Sequence, residues 1–486
     1  MYDLAIIGAG IVGASVAYIL SQYDIKTVVI EKEDDVAKGA TRANSAIIHA
    51  GYDPTPGSLM ARSNVRGSVI WQEWASSLQL EYIKTGSLVV AKTAQEDKVI
   101  RELYKRGIAN GVAELSLISA HELKQLEPNL KKDVYSALYA KTAAIVNPYQ
   151  SCIAFCEYAR RNNTDFLLNS PVIDINPTED GYDITTPNQS IKARFIVNAA
   201  GINTEEIYMK AGGNSFGAYS VKGEYYLLDR KHGDYVNTIV FPVPSSMGKG
   251  VVVSPTVHGN LLVGPTAIRQ QTYDDRSTTI EGHESIRNDA SLLFEDIPFY
   301  DNIRNFAGNR AYIEDDDFLV CVSDILPRFI NMAGIKSPGL SSAPALAEEV
   351  VEILKKEGLV LERKTQLEKY TYPKRFALMS EQEQKEAISK DASYGKVVCR
   401  CETVTEGDIK TALESPLTPP TISAVKRRVN AGMGRCQGGF CSVRVHELIS
   451  EYMNIPWEEV TLDGNCGYIV YGDTKRGGNT CENTIW

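Results

Sequence analysis

The first thirty-one residues constrain the chain more than any other stretch. Asp3-Leu4-Ala5-Ile6-Ile7 is an apolar run, and Gly8-Ala9-Gly10-Ile11-Val12-Gly13 fits G-x-G-x-x-G at the point where a helix should open. Lys26-Thr27-Val28-Val29-Ile30 is a second apolar run, closed by Glu31 eighteen residues after Gly13. In such an arrangement the first glycine permits a tight turn, the second admits a pyrophosphate against backbone N–H groups, and the third lets the helix lie close on the sheet. The helix N-terminus then faces negative charge, and a terminal acid suits a pair of ribose hydroxyls. Strand, glycine turn, helix, strand and acid in register therefore predict a dinucleotide-binding α/β fold with Gly8, Gly10, Gly13 and Glu31 at the ligand.

The remainder is large for one domain: 486 residues suit two to four at roughly 100 to 200 residues each. A hydrophobic content of 43% with 23% charged residues is enough to bury a sizeable core. The net charge of −10 disfavours non-specific nucleic-acid binding. No apolar stretch approaches the roughly 18 to 20 residues that span a bilayer, and the first strand begins by residue 3, which leaves no room for a signal peptide. We therefore expect a cytoplasmic protein without a transmembrane segment, meeting a membrane surface only through a partner.

Along the chain, residues 39–51 form a small, polar loop running into a short apolar strand, a course suited to following a cofactor, with Thr41 and Ser45 as contacts. Ser58 to Leu78 has helical period, Tyr82 to Lys92 alternates like one strand, and Gln95 to Asn110 and Ser119 to Leu126 are expected helices. Asn147-Pro148 opens a helix that ends near Asn162. Phe166 to Leu168, Pro171 to Ile175 and Tyr182 to Thr186 are expected to form a meander laid on the parallel sheet. Phe195 to Gly201 is a buried strand whose small tip, Gly201, can approach the cofactor. Residues 215–325 are rich in β-branched and aromatic runs, which suits a mixed or antiparallel sheet. Phe329 to Gly334 then restores a buried strand, with a glycine loop and a helix expected from Ala343 to Glu357. The boundaries predicted are a discontinuous nucleotide domain at 1–80, 145–214 and 326–360, a substrate domain at 81–144 and 215–325, a helix-containing linker at 361–395, a cysteine-bearing module at 396–450, and a tail at 451–486.

Cys399-Arg400-Cys401 and Cys436-Gln437-Gly438-Gly439-Phe440-Cys441 give C-x-C, a 34-residue interval and C-x₄-C. Four thiolates on two tight loops suit either a tetrahedral zinc or a [2Fe–2S] cluster in which each iron takes two cysteines; the spacing alone does not choose. Backbone N–H groups of Gly432, Gly434, Gly438 and Gly439 can serve cluster sulfurs, and Lys426, Arg427, Arg428 and Arg435 are expected to offset a cluster's charge. Cys152, Cys156, Cys321, Cys466 and Cys481 are expected to be structural or free thiols.

These residues carry a resemblance. Through Ile7 to Gly13, Glu31, Ser45 to Gly51 and Ala333 to Leu340, residues 1 to about 360 resemble the FAD-dependent oxidoreductases of the D-amino-acid-oxidase and glycerol-3-phosphate-dehydrogenase superfamily. Residues 397–441 resemble the bacterioferritin-associated-ferredoxin-like [2Fe–2S] domain. The two in this order are similar to the family of the anaerobic glycerol-3-phosphate dehydrogenases, and Asn44 to Gly51 is also similar to L-2-hydroxyglutarate dehydrogenases. The resemblance implies an α/β fold with a Rossmann-like FAD-binding domain, an inserted mixed β-sheet substrate domain and a small C-terminal [2Fe–2S] domain. It implies FAD with its ring between residues 41–51 and 334–340, touching Gly334, Lys336, Gly339 and Leu340, and a [2Fe–2S] cluster on Cys399, Cys401, Cys436 and Cys441. A helix N-terminus at Ala343 and the charge of Lys336 would then stabilise the reduced ring.

The implied activity is oxidation of a small anionic secondary alcohol, glycerol 3-phosphate or an L-2-hydroxy acid, with electrons leaving through the cluster to a partner protein. The alternatives are an amine or amino-acid dehydrogenase on the same scaffold and a non-catalytic electron-transfer subunit. The candidate catalytic residues are His49, because imidazole titrates near 6.5 and can accept a hydroxyl proton, and Arg310, whose planar fork can hold a phosphate or carboxylate.

Overall fold

The computed structural model describes residues 1–244, 250–270 and 272–472. The chain divides into two compact units, Met1–Lys32 with Val36–Tyr372, and Glu33–Asp35 with Pro373 onward. The stretch expected as a linker is thus shared between them, its first part belonging to one unit and its helix, Glu381–Lys390, to the other. Cys481 lies outside the described residues.

The first unit is built on an eight-stranded sheet whose middle is parallel: Thr164–Leu167, Thr27–Ile30, Tyr2–Ile7, Ser190–Asn198 and Phe329–Ala333. Four of the six residues of Tyr2–Ile7 and all of Thr27–Ile30 are buried, as strands covered on both faces require. The helix Ile11–Leu20 follows the glycine turn, its Gly10 N-cap carrying no side chain to cap it. A Cβ built on Gly13 would overlap the carbonyl oxygen of Gly8, so the third glycine is what lets this helix settle on the strand.

The meander is arranged differently from the expectation. Thr164–Leu167 leaves it and pairs parallel with Thr27–Ile30 at the far edge, while Asp174–Thr178 and Gly181–Thr185 extend the same sheet antiparallel from Ser190–Asn198. Pro171 has no N–H to give a ladder, and the strand expected from it begins at Asp174.

A second, nine-stranded sheet contains Ser87–Ala91, Leu115–Ser119 and Ser136–Ala140 together with the strands between residues 219 and 312. The alternating run from Tyr82 to Lys92 is two strands, because the chain turns at Gly86, φ +71°. Tyr82–Lys84 joins a small sheet with Ile47–Ile48 and Ala144–Val146, and Ser87–Ala91 joins the large one. Helices fall where caps direct them: Ser58 accepts from the Ala61 amide ahead of Leu59–Leu78, and Asn147 from Gln150 ahead of Pro148–Arg161.

The helix expected from Ala343 opens earlier and spans Gly339–Lys356, with Pro344 inside it. Proline brings no N–H, so the Leu340 carbonyl four residues back lacks an intrahelical donor. Trp71 Nε1 donates to that oxygen at 2.8 Å instead, and the first turn persists through the proline.

The second unit is a small helical module with the hairpin Val397–Cys399 and Val404–Thr405. Ser380 and Thr405 form capping boxes with Glu383 and Asp408, and Val404, Ile409, Val425, Val445, Leu448 and Ile449 form its core. Among the described residues no helix is long and apolar enough to cross a membrane.

Candidate active site and cysteine centre

The glycine turn is shaped for a ligand rather than for a side chain. Gly8 adopts φ +102°, and a Cβ there would stand 2.6 Å from the Ala199 carbonyl oxygen, whereas one on Gly10 would meet only Thr41 Oγ1, at 3.4 Å. Gly10 therefore borders open space at a helix N-terminus. Thr41 Oγ1 accepts the N–H of Ile11 at 2.9 Å, and Glu31 Oε2 accepts that of Ala9 at 2.7 Å. Gly201, exposed at φ +61°, has no described atom within 4 Å of where its Cβ would be. These are the features a dinucleotide needs: a helix start whose own N-cap residue is a glycine, glycines where the backbone must be approached and an acid at the next strand's end.

Three elements of the first unit converge beyond this turn. Ile47–Ile48 delivers His49, whose N–H donates to Ser341 Oγ at 2.7 Å and whose carbonyl accepts from Asn64 Nδ2 at 2.7 Å. Its Nε2 lies 3.4 Å from Ser337 Oγ, and the ring lies 5.9 Å from that of Phe241. His49 lines a small pocket with Gly51, Tyr52, Asp53, Val89, Phe241 and Pro244. Burial pushes the Tyr52 phenol well above its usual range, so that phenol stays protonated.

The helix Gly339–Lys356, which carries Ser341, is the second element, and the large sheet is the third. Ser45 Oγ is 3.3 Å from Tyr225 Oη, and Tyr225 stacks on Phe306 with centroids 4.8 Å apart. Gly308 and Arg310 follow at two-residue steps on the face of Phe306. Arg310 is half-buried; its Nη2 donates to the Thr266 carbonyl at 2.9 Å, and it makes no ion pair with any described residue. The Lys336 ammonium lies 2.5 Å from Asp316 and 4.7 Å from the centre of the Tyr312 ring. Gly334 adopts φ +65°, and Gly339 and Leu340 form the first turn of the helix that reaches Ser341.

The composition of the turn thus announced itself, but Ser337, Ser341, Asn64 and Thr266 did not. The signal available for the sheet was Gly223, a glycine inside an otherwise β-forming run, which marks close approach of another group.

In the second unit the four cysteines meet as two pairs. Cys401 Sγ and Cys436 Sγ are 3.7 Å apart, and Cys399 and Cys441 are within hydrogen-bond reach. Each pair takes one cysteine from each loop, an arrangement that suits two irons with two thiolates apiece. The hydrogen bond from Cys441, with N–H groups of Gly432, Glu402 and Cys401, draws the Cys399 thiol down despite its burial. At Cys436 burial is outweighed by the N–H groups of Phe440 and Gly438, which lower it. The N–H groups of Gly432 and Gly438 thus face cysteine sulfurs, whereas the Gly439 N–H goes to the Cys436 carbonyl.

The basic run departs from expectation. Arg427 Nη2 and Arg428 Nη1 bond Asp35 Oδ2 at 2.7 and 2.9 Å, Asp35 being fully buried. Both arginines thus share that carboxylate, Arg427 also reaching Asp463 at 3.4 Å.

Comparison with known proteins agrees with this geometry. Residues 3–353 match the FAD dependent oxidoreductase family, and residues 397–451 match the BFD-like [2Fe-2S] binding domain. The chain belongs to the FAD dependent oxidoreductase family, and its cofactors are FAD and a [2Fe–2S] cluster. It is 42% identical to a glycerol 3-phosphate dehydrogenase of Caloramator mitchellensis, over 98% of this chain and 99% of the relative. It is 31% identical to a glycerol 3-phosphate oxidase of Mycoplasma genitalium, over 72% and 94%. The dithionite-reduced, FAD-bound L-α-glycerophosphate oxidase of Mycoplasma pneumoniae superposes with a TM-score of 0.73 at 30% identity, covering 77% of this chain and 99% of that one.

Proposed function

We propose that this oxidoreductase acts on glycerol 3-phosphate in the cytoplasm and passes electrons to a protein acceptor, with residues 81–144 and 215–325 as its substrate domain. The observation that carries the substrate is Arg310, a half-buried guanidinium without a carboxylate partner among the described residues, on the sheet face that meets the 41–46 loop. A cation so placed is costly unless an anion joins it. The full-length likeness to a glycerol 3-phosphate dehydrogenase points the same way.

In this reading Gly8, Gly10, Gly13, Glu31, Thr41, Ser45, Gly201 and the 334–340 loop hold FAD, and Cys399, Cys401, Cys436 and Cys441 hold the cluster. FAD supplies a two-electron acceptor and the cluster a one-electron relay. Arg310 binds the phosphate and fixes the substrate's orientation. His49 accepts the proton of the secondary hydroxyl at Nε2, with Ser337 Oγ 3.4 Å away to steady it. The backbone bonds of His49 to Ser341 and Asn64 hold the ring in place.

Anaerobic mixing with substrates tests this directly. Glycerol 3-phosphate should bleach the flavin absorbance faster, at lower concentration, than L-2-hydroxyglutarate, proline or glycine. Preferential bleaching by a hydroxy acid or an amine would replace the substrate, and no bleaching by any of them would favour a role as electron carrier only.

A further inference from the structure

Glycine is a poor occupant of a strand interior unless something must come close. Gly223 sits mid-way along Tyr219–Leu228 and pairs with Gly308 on the neighbouring strand. A Cβ on Gly308 would overlap the Ala43 carbonyl, so that glycine makes room for the 41–46 loop. A Cβ on Gly223 would overlap Arg310 Nη2 and stand 2.8 Å from Pro265 Cβ. The guanidinium of Arg310 therefore lies across the strand at Gly223, and Nη2 reaches the Thr266 carbonyl on its other side.

Thr266 is itself clamped. Its Oγ1 accepts the Glu224 N–H at 3.0 Å, and its own N–H donates to the Glu224 carbonyl at 3.3 Å. The back of the same strand is fixed as well: the buried Glu224 carboxylate accepts from the Thr279 N–H at 2.8 Å, and Lys222 Nζ lies 2.8 Å from Asp275 and 3.6 Å from Glu224. The acceptor that aims Arg310 thus belongs to a hydrogen-bonded frame, and the floor beneath the guanidinium is kept clear by the absence of a side chain.

We propose that Gly223 and Thr266 are positioning residues for Arg310 and thereby determinants of specificity for a phosphate-bearing alcohol. The inference rests on Arg310 as the anion site. Gly223→Ala pushes the guanidinium off the strand. Thr266→Val keeps the shape but removes the acceptor of the Glu224 N–H, which frees the carbonyl that holds Nη2. Thr266→Ser keeps the hydroxyl.

The test is anaerobic stopped-flow reduction of the flavin in the holoenzyme, with glycerol 3-phosphate and with glycerol, in Gly223→Ala, Thr266→Val, Thr266→Ser and Arg310→Ala, FAD occupancy being checked by absorbance. The expected result is that Gly223→Ala and Thr266→Val raise the half-saturation concentration for glycerol 3-phosphate by about tenfold or more, the size of a weakened charged hydrogen bond. The limiting rate should change much less, Thr266→Ser should restore tight saturation, and the response to glycerol should not move. Adding Gly223→Ala to Arg310→Ala should bring no further loss. Should Gly223→Ala fail to retain FAD, Thr266→Val and its serine counterpart carry the test alone. Weakened saturation in Arg310→Ala with wild-type behaviour in the foldable positioning variants would overturn the inference while sparing the anion site. Wild-type saturation in Arg310→Ala would overturn both.

Discussion

Thr41 Oγ1 accepts the backbone N–H of Ile11 at 2.9 Å, which ties the loop leading to His49 to the first turn of the helix that begins the fold. Gly10 has room for a Cβ, which would meet Thr41 Oγ1 alone among the described atoms, at 3.4 Å, whereas Gly13 is packed against Gly8. The two glycines should therefore fail differently. Gly10→Val should give folded protein largely without flavin, because only the ligand's space is filled. Gly13→Val should give poorly folded protein, because its side chain would have to displace the Gly8 backbone. Flavin-to-protein absorbance ratios beside circular dichroism separate the two outcomes; full flavin occupancy in Gly10→Val would move the dinucleotide site elsewhere.

Asp35 underlies a prediction about the second unit. Burial alone would raise its carboxyl, but the pairs with Arg428 and Arg427 overcome that and hold it below the usual carboxylate range. Asp35→Ala takes the carboxylate from buried Arg428 and leaves buried Arg427 only the longer pair with Asp463, at 3.4 Å, and should destabilise this unit by about 3–5 kcal/mol, as for other broken buried pairs. A carboxyl lowered on folding contributes stability above its unfolded value of about 3.9, and that contribution is lost as pH falls towards the folded one. The thermal midpoint of the second unit should accordingly drop on acidification below about pH 4, and the Asp35→Ala protein should lack that part of the dependence.

Much of this architecture was legible because its signals are local. The turn Gly8 to Gly13, the caps at Ser58, Ser119 and Asn147 and the two cysteine loops each declare themselves within a few residues. What escaped depends on distant partners. The carbonyl of Leu340 could keep its helix through Pro344 only because Trp71, far away in sequence, donates to it. Arg427 and Arg428 look like counter-charges for a cluster until Asp35 is found between them. Thr266 resembles any strand-end threonine until the Arg310 guanidinium crosses Gly223 to reach it.

The paired sulfurs of the cysteine centre give a prediction on electron flow. Anaerobically prepared protein should contain about two irons and two sulfides per chain. Cys436→Ser removes one member of the Cys401–Cys436 pair and leaves the first unit untouched. Bleaching of the flavin by glycerol 3-phosphate should persist in that variant, while onward transfer to a protein acceptor slows. One zinc and no sulfide in the wild-type protein, or unchanged onward transfer in the variant, would remove the relay.

His49 supports the most direct test of the chemistry. Its backbone is held by Ser341 and Asn64, and its ring projects between Ser337 and the pocket it shares with Phe241, so truncating the ring should leave those two backbone bonds in place. His49→Ala should lower the limiting rate of flavin reduction by glycerol 3-phosphate by roughly 10²- to 10⁴-fold, the usual contribution of a positioned base. Saturation should change little, since Arg310 still holds the phosphate. The dependence of that rate on pH should flatten across the range where imidazole titrates, and His49→Gln, which keeps a hydrogen-bonding group of similar length but cannot take a proton, should be as slow. A rate within a few-fold of wild type in both variants, with FAD fully bound, would give the histidine a packing role only and send the search for the base to another group on the same face.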